Sequence, residues 1–330
     1  MIVDVHSHIA THDLLAAIDK IPNFQGFLER DAKGAWQMRG YGPLDPPVYD
    51  LEPRMESLER RRVDKQLVGT FNPLLNWSGG APDAAFARFV NQETAKAVAP
   101  AKGRLVGMAT IAFGEPDRVA AELERAIDSH GFPGAHLGIA AGTKYLDDPA
   151  FDPLWRVCER RNLFLYMHPA RDHAYAKCRD YTLNTIVFYP TETCITVARM
   201  IFAGVFERFP GLNLCLAHGG GTLPYLAARL DRAYDAPKYE RNPAHFQHIT
   251  RRPSEYIKRI NVDTCVFGSE QLDFLLGFLG PERLMFGTDY PFEIGDAEGT
   301  CVAPWLARQI PQVKAKIEGA NAAAILDRPH

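Results

Sequence analysis

The sequence predicts an α/β fold for residues 1–330, as one (β/α)8 TIM barrel domain with an inserted loop region after strand 1. Eight short apolar segments alternate with helical segments along the chain. A length of 330 residues suits one such barrel, although two smaller domains would also fit. No Gly-x-Gly-x-x-Gly motif follows the first strand, which disfavours the alternative of an open, doubly wound sheet.

The first predicted strand is the apolar run of Ile2, Val3 and Val5, extended to His8. A polar segment rich in proline and glycine, at about residues 10–53, then separates this strand from the first predicted helix. It is too long for an ordinary connection, and long ordered loops in compact domains are usually functional. The alternative is that this segment is an ordinary surface loop.

Beyond this segment, strand-like and helix-like patterns alternate regularly. Apolar runs predict seven further strands at 66–71, 104–110, 134–138, 163–168, 212–218, 260–264 and 284–289. Apolar residues at helical spacing predict helices at 53–62, 84–99, 116–128, 149–161, 191–209, 223–233, 270–278 and 305–326. The order of these elements is that of a β/α barrel.

The composition excludes several classes of protein. The chain is 46% hydrophobic and 23% charged with a net charge of −3, which is typical of a soluble globular protein and disfavours nucleic acid as a partner. No run of 18 apolar residues and no secretory leader is found, so we expect no membrane association and a cytoplasmic location. The six cysteines include no Cys-x-x-Cys pair, which favours buried free thiols.

Candidate metal ligands stand at the ends of predicted strands. His6 and His8, His168, His218 and Asp289 end strands one, five, six and eight, on the face where barrel active sites form. Three or four imidazoles with one carboxylate suit a zinc-like divalent ion that keeps one position open. Taken singly, each residue has a purely structural explanation. His168 could be a hydrogen-bonded core histidine, His218 could simply end a strand before the glycines, and Asp289 could be a turn residue.

The motifs around these residues resemble those of the amidohydrolase superfamily. Within it they are most similar to the branch of aminocarboxymuconate semialdehyde decarboxylase and related metal-dependent decarboxylases. The resemblance covers nearly the whole chain and is carried by Asp4-Val-His-Ser-His8, Met167-His-Pro169, Gly204-Val-Phe-Glu-Arg-Phe-Pro210, Ala217-His-Gly-Gly-Gly221, Arg252-Pro-Ser-Glu-Tyr256 and Gly287-Thr-Asp-Tyr-Pro-Phe292.

The resemblance implies a set of roles. A single divalent ion, zinc in the first place and manganese as the alternative, would be bound by four residues: His6, His8, His168 and Asp289. His218 would lie beside the metal-bound water as its base or as the proton donor. Arg229, on the helix after strand six, would reach the substrate carboxylate of a neighbouring subunit, which implies a homodimer. Without the resemblance, Arg229 is an ordinary residue of an amphipathic helix.

The sequence also departs from the family pattern. Members of the superfamily that bind two metals bridge them with a carboxylated lysine on strand four. Strand four here offers His136 and no lysine, so the resemblance implies one metal. His136 is then either a substrate contact or a core residue. The family's substrate arginine before the second helix is missing near Gly42, where Arg39 could replace it. Arg171 and His173 follow strand five and bring new polar groups, which indicates a changed substrate.

Two reactions fit this site. The first is non-oxidative decarboxylation of a small unsaturated or aromatic carboxylic acid, with the arginines holding the acid. The second is hydrolysis of an amide, lactone or activated C–C bond by the same metal-bound water, with His218 and Asp289 moving the proton. The candidate contacts Arg39, Arg171 and Arg229 favour the first. A barrel that merely stores metal would need a closed coordination sphere.

Overall fold

The computed structural model describes residues 1–18, 20, 28–38, 42–70, 84–111, 113–141, 144–169, 178, 180–236, 246 and 248–327. Within them the chain forms an α/β fold, as predicted. The strands are β1 Val3–Asp4, β2 His8–Ile9, β3 Leu28–Arg30, β4 Trp36–Met38, β5 Gly42–Pro43, β6 Lys65–Thr70, β7 Leu105–Gly107, β8 Ala109–Thr110, β9 Gly134–Leu137, β10 Ala140–Ala141, β11 Lys144–Tyr145, β12 Phe164–Met167, β13 Asn213–Leu216, β14 Asn261–Asp263 and β15 Leu284–Met285.

Parallel pairing connects the strands in chain order. The first strand is split into β1 and β2, and both pair with β6, which pairs with β7. A second parallel run joins β8, β9, β12, β13, β14 and β15. Backbone N–H groups of Val5 and His8 donate to the carbonyl oxygens of Phe286 and Tyr290, each at 2.9 Å. The segment after β15 is therefore hydrogen-bonded back to the first strand.

The α-helices lie between these strands in sequence, except the last three, which follow β15. They are α1 His12–Ile18, α2 Leu51–Arg61, α3 Ala84–Val98, α4 Pro116–His130, α5 Asp152–Arg160, α6 Tyr189–Phe202, α7 Val205–Arg208, α8 Leu223–Tyr234, α9 Pro253–Ile257, α10 Ser269–Leu279, α11 Ala303–Ala307, α12 Pro311–Ala315 and α13 Asn321–Leu326. None of these described helices is long and apolar enough to cross a membrane.

Helix boundaries follow local backbone chemistry. Helix α4 begins at Pro116, whose missing N–H is harmless in a first turn, and ends at Gly131, whose φ is +69°. The single helix predicted over 191–209 is wrong, because Gly204 has a φ of +73° and separates α6 from α7. The helix predicted over 305–326 is likewise interrupted before Pro311, since the residue preceding a proline avoids the helical conformation.

The two faces of the strands bury different apolar clusters. In β12, Leu165 and Met167 belong to a large cluster shared with residues of the helices. Phe164 and Tyr166 belong to a smaller cluster made mainly of strand residues, among them Val3, Leu67, Cys215 and Met285. Alternate residues of a strand point to opposite faces. Both faces of these strands are therefore buried, as parallel sheets require.

The segment at about 10–53 contains regular structure that its polar composition does not predict. Its described residues form α1 and an antiparallel sheet of β3, β4 and β5. Trp36 and Leu28 pack with Leu14, Leu15 and Ile18 of α1 in an apolar cluster that also includes Val90 of α3. This cluster explains why the segment can be ordered. That it is an insertion into the fold stays a prediction.

Candidate metal centre

Four of the predicted residues converge at the ends of their strands. His6 lies between β1 and β2, His8 begins β2, His168 follows β12, and Asp289 follows β15. All four are buried, and one ligand atom from each lies within 4.8 Å of the other three. We call these four residues the donor cluster.

One oxygen of Asp289 faces the imidazoles. The Nε2 atoms of His6 and His8 each lie 3.0 Å from Asp289 Oδ1, and Nε2 of His168 lies 4.0 Å from it. Nε2 of His168 has no hydrogen-bond partner among the described residues. Buried polar atoms without a partner cost about 1–3 kcal/mol each. Nitrogen and oxygen donors that converge in this way fit a divalent metal ion.

The second nitrogen of each imidazole orients its ring. Nδ1 of His6 lies 2.7 Å from Asp263 Oδ2, and Nδ1 of His8 lies 3.3 Å from the Thr70 carbonyl oxygen. In His168, Nδ1 contacts the carbonyl oxygen of Pro169. Since these oxygens accept and cannot donate, each Nδ1 carries the proton. With a metal ion bound, each Nε2 would therefore present a lone pair to it, as metal-binding histidines do.

The burial of the site sets its protonation. Burial lowers the pKa of His8, and it lowers the pKa of His168 well below its ordinary value, so both imidazoles are neutral near pH 7. Burial also opposes protonation of His6, but the charge of Asp289 and hydrogen bonds to Asp263 and Asp289 raise the pKa of His6 well above the usual value. Burial would raise the pKa of Asp289, yet interactions chiefly with His6 hold it well below its usual range. The pocket thus favours a positive charge beside Asp289.

His218 lies beside the donor cluster and not within it. Its Nε2 is 3.5 Å from Asp289 Oδ2, the carboxylate oxygen opposite the one that faces His6 and His8. The side chain is 16% exposed. The backbone of His218 has a φ of +55°, and Gly219, Gly220 and Gly221 continue the turn with positive φ. A Cβ atom on Gly221 would lie 2.1 Å from the Pro190 carbonyl oxygen, so this turn needs glycine there.

His136 lies close to the donor cluster. Its ring centroid is 5.3 Å from that of His8 and 5.8 Å from that of His168, and neither ring nitrogen has a partner among the described residues. Burial lowers the pKa of His136 well below its ordinary value, so the ring is neutral. Gly69 makes room for it, since a Cβ atom there would lie 1.6 Å from Nδ1. Strand β9 carries no lysine, in agreement with the sequence.

Among the candidate substrate residues, Arg229 is the one that lies within the described part of the chain. Arg229 lies on α8 with an exposed side chain, and no described carboxylate pairs with it. Arg39, Arg171 and His173 lie outside the described residues, so their predicted contacts stay predictions.

Two buried carboxylates beside the donor cluster, Asp4 and Asp263, are not among the site residues predicted from the sequence. Asp4 accepts hydrogen bonds from the backbone N–H of His6 (3.2 Å) and Thr288 (3.1 Å). Asp263, the last residue of β14, accepts from His6. Asp4 interrupts the apolar run of Ile2, Val3 and Val5, which is a signal that could have found it, whereas Asp263 stands in the mixed segment Asn261-Val-Asp-Thr264, which carries no such signal.

A buried arginine supports the backbone of the same strand. Arg54 Nη2 donates to the His8 carbonyl oxygen, and Nη1 donates to Gln66 Oε1 at 2.7 Å. Burial lowers the pKa of Arg54 to about 10, so the side chain stays charged at neutral pH. The guanidinium thus links the backbone of β2 to the Gln66 side chain on β6.

The family follows from a comparison of the whole chain. A family model described as Amidohydrolase matches residues 3–328. The chain belongs to the amidohydrolase family. The resemblance read from the motifs is thereby confirmed.

Similar proteins are decarboxylases. The chain is 30% identical to 2-amino-3-carboxymuconate-6-semialdehyde decarboxylase of Dictyostelium discoideum, over 89% of this chain and 82% of that protein. The crystal structure of 5-carboxyvanillate decarboxylase from Sphingomonas paucimobilis is 26% identical, with a TM-score of 0.83 over 99% of this chain and 98% of that one. A 5-carboxyvanillate decarboxylase of Novosphingobium aromaticivorans, in complex with manganese and 4-hydroxy-3-methoxy-5-nitrobenzoic acid, is 22% identical with a TM-score of 0.83 over 99% and 96% of the two chains. At that identity the likeness concerns the fold.

Proposed function

We propose that this protein is a metal-dependent, non-oxidative decarboxylase of a small aromatic or unsaturated carboxylic acid. The observation that carries the proposal is the donor cluster with His218 beside it, in a chain whose similar relatives are decarboxylases. Strand pairing that returns from the residues after β15 to the first strand supports a single (β/α)8 barrel over residues 1–330. The candidate site would then lie at the C-terminal ends of its strands.

The donor cluster would hold one divalent ion, with His6, His8, His168 and Asp289 as its ligands. Three imidazoles and one carboxylate favour zinc, and manganese is the alternative because carboxylate ligands also suit it. When bound, such an ion supplies a Lewis acid that polarises oxygen atoms of the substrate. The absence of a lysine on β9 supports one ion per chain.

His218 is our proposed proton donor. In a non-oxidative decarboxylation, a proton bonds to the carbon that carries the carboxylate. The C–C bond then breaks, its electron pair returns to the unsaturated system, and CO2 leaves. Nε2 of His218 lies 3.5 Å from Asp289 Oδ2, which orients the imidazole, and the partly exposed ring can regain its proton from solvent.

The substrate carboxylate needs a cationic partner, which we assign to Arg229 of a second copy of the chain. Arg229 is exposed on α8, where Tyr225 is 80% exposed and Phe274 of α10 is 44% exposed. An exposed arginine beside exposed aromatic side chains supports a homodimer contact at this face. Arg39, Arg171 and His173 are proposed as further contacts to the acid.

A panel of substrates tests the reaction. It contains 2,6-dihydroxybenzoate, 5-carboxyvanillate, aminocarboxymuconate semialdehyde and a set of cyclic amides, each followed by CO2 release and by absorbance. We expect CO2 in equal amount to the decarboxylated product from at least one acid, and none with a His168→Ala control. Ring opening of a cyclic amide without CO2 from any acid would replace this proposal with the hydrolase.

A further inference from the structure

Four hydrogen-bond donors converge on the carboxylate of Asp263. Oδ2 accepts from His6 Nδ1 and from the Tyr166 hydroxyl, each at 2.7 Å. Oδ1 accepts from the backbone N–H groups of Gly219 at 2.9 Å and Cys265 at 3.1 Å. The side chain is fully buried. One oxygen thus holds a residue of the donor cluster, and the other holds the turn that carries His218.

We propose that Asp263 is a positioning residue that sets both the metal affinity of the site and the place of His218. The proposal rests on the proposed function, since it takes His6 as a metal ligand. Asp263 would act through its two oxygen atoms separately, with Oδ2 serving His6 and Oδ1 serving the turn.

The His6 side of the argument concerns which nitrogen carries the proton. A carboxylate only accepts, so the 2.7 Å contact keeps a proton of His6 on Nδ1 and leaves Nε2 as the atom that would bind the metal. Nδ1 of His8 and of His168 is held by main-chain carbonyl oxygens. Among the three imidazoles, only His6 therefore has its proton placed by a side chain. A single substitution at Asp263 can therefore move that proton from Nδ1 of His6 to Nε2.

The His218 side of the argument concerns the backbone. The φ of +55° at His218 costs about 1–2 kcal/mol for a residue other than glycine. The peptide N–H that follows it, on Gly219, donates to Asp263 Oδ1. Since Cys265 N–H donates to the same oxygen, the turn is tied to the end of β14. This bond offsets the strain that keeps the His218 imidazole beside Asp289.

Asparagine at position 263 separates the two functions. Its single oxygen must face the N–H groups of Gly219 and Cys265, because these backbone donors cannot turn away. Its NH2 group then faces the Tyr166 hydroxyl, which can accept, and His6 Nδ1. An N–H group facing Nδ1 drives the His6 proton to Nε2, where it competes with the metal.

The test is the affinity for zinc, measured by competition with a chelator, and the visible absorption spectrum of the cobalt-loaded protein. Asp263→Asn should weaken zinc binding by about 10–100-fold and change the cobalt spectrum, since a lost outer-shell partner has effects of this size. At saturating metal it should keep most of its kcat. Asp263→Ala should weaken zinc binding and also lower kcat at saturating metal, because it frees the turn as well.

Two controls separate positioning from general stability. Asp296→Asn changes another buried aspartate that accepts from backbone N–H groups, those of Cys301 and Val302, and should lower the melting temperature without changing zinc affinity. Tyr166→Phe removes the other donor to Oδ2 and should leave zinc affinity within about threefold of the wild type, since His6 keeps its partner.

Wild-type zinc affinity and an unchanged cobalt spectrum in Asp263→Asn would overturn the inference. If Asp263→Asn does not fold, the same zinc measurement on Asp263→Ala decides it. A wild-type protein that binds no divalent ion would instead refute the proposed function, so the two failures are distinguishable.

Discussion

Replacing His218 by asparagine removes an imidazole that lies beside the donor cluster without belonging to it. Its Nε2 is 3.5 Å from Asp289 Oδ2, whereas Nε2 of His6 and of His8 lies 3.0 Å from Oδ1 of the same carboxylate. The variant should therefore keep its metal. The side chain is partly exposed and its Nδ1 has no partner among the described residues, so the fold should lose little stability.

The expected loss is one of rate. An asparagine cannot transfer a proton at neutral pH, and general acid–base catalysis contributes about 10²–10⁴-fold. At 1.36 kcal/mol per factor of ten, the barrier should rise by about 2.7–5.4 kcal/mol. The predicted kcat is therefore lower by at least about a hundredfold.

Two measurements on the same preparation check this: kcat for CO2 release on the best acid of the panel, and metal content by elemental analysis. His168→Asn is the matched control, because the same substitution inside the donor cluster should remove metal and activity together. Metal lost from His218→Asn in proportion to activity would make His218 a ligand. A kcat within about threefold of the wild type would refute its role as proton donor.

Two further predictions concern surfaces away from the donor cluster. Arg229→Ala should lower kcat/KM by about tenfold to a hundredfold, for the loss of a charge-assisted bond of about 1.5–3 kcal/mol, and mixing it with His168→Ala should restore activity if Arg229 acts in trans. A fully active monomer would contradict this. Glu207→Gln should lower the melting temperature at neutral pH, and the difference should shrink as pH falls below about 4.5, because hydrogen bonds from Thr250 and Tyr256 hold the pKa of Glu207 at about 2. A pH-independent difference would show that the charge of Glu207 is irrelevant.

The sign of the Glu207 effect follows from linkage. A carboxyl whose pKa is lower in the folded than in the unfolded chain stabilises the fold above its unfolded pKa. That stabilisation is lost as pH falls through the folded pKa of about 2. Because Glu207 is partly solvent-exposed, the size of the effect is reduced by screening.

The ends of the strands were predictable because a strand buried on both faces requires a run of apolar residues, and the end of that run is visible in the sequence. Apolar runs such as 163–168 are buried on both faces, and a histidine that ends such a run stands out. The convergence of His6, His8, His168 and Asp289 follows from parallel strands whose C-terminal ends meet on one side. Reasoning of this kind needs only local patterns.

What local patterns miss is pairing between distant residues. Asp263 reaches His6 across 257 positions, and no spacing rule connects them. The two motifs that contain Glu207 and Tyr256 are another case, since their side chains bond to each other and support the fold. The break at Gly204 depends on one backbone angle, which a run of apolar residues conceals.

The most direct test of the proposed function is a metal titration of CO2 release. Protein stripped with a chelator is supplied with zinc or manganese in steps, and the initial rate of CO2 release from the best acid of the panel is measured at each step. The rate should be near zero at first, rise linearly, and reach its plateau at about one ion per chain. Full activity in the stripped protein, or a plateau only at two ions per chain, would contradict the four-residue single-metal site.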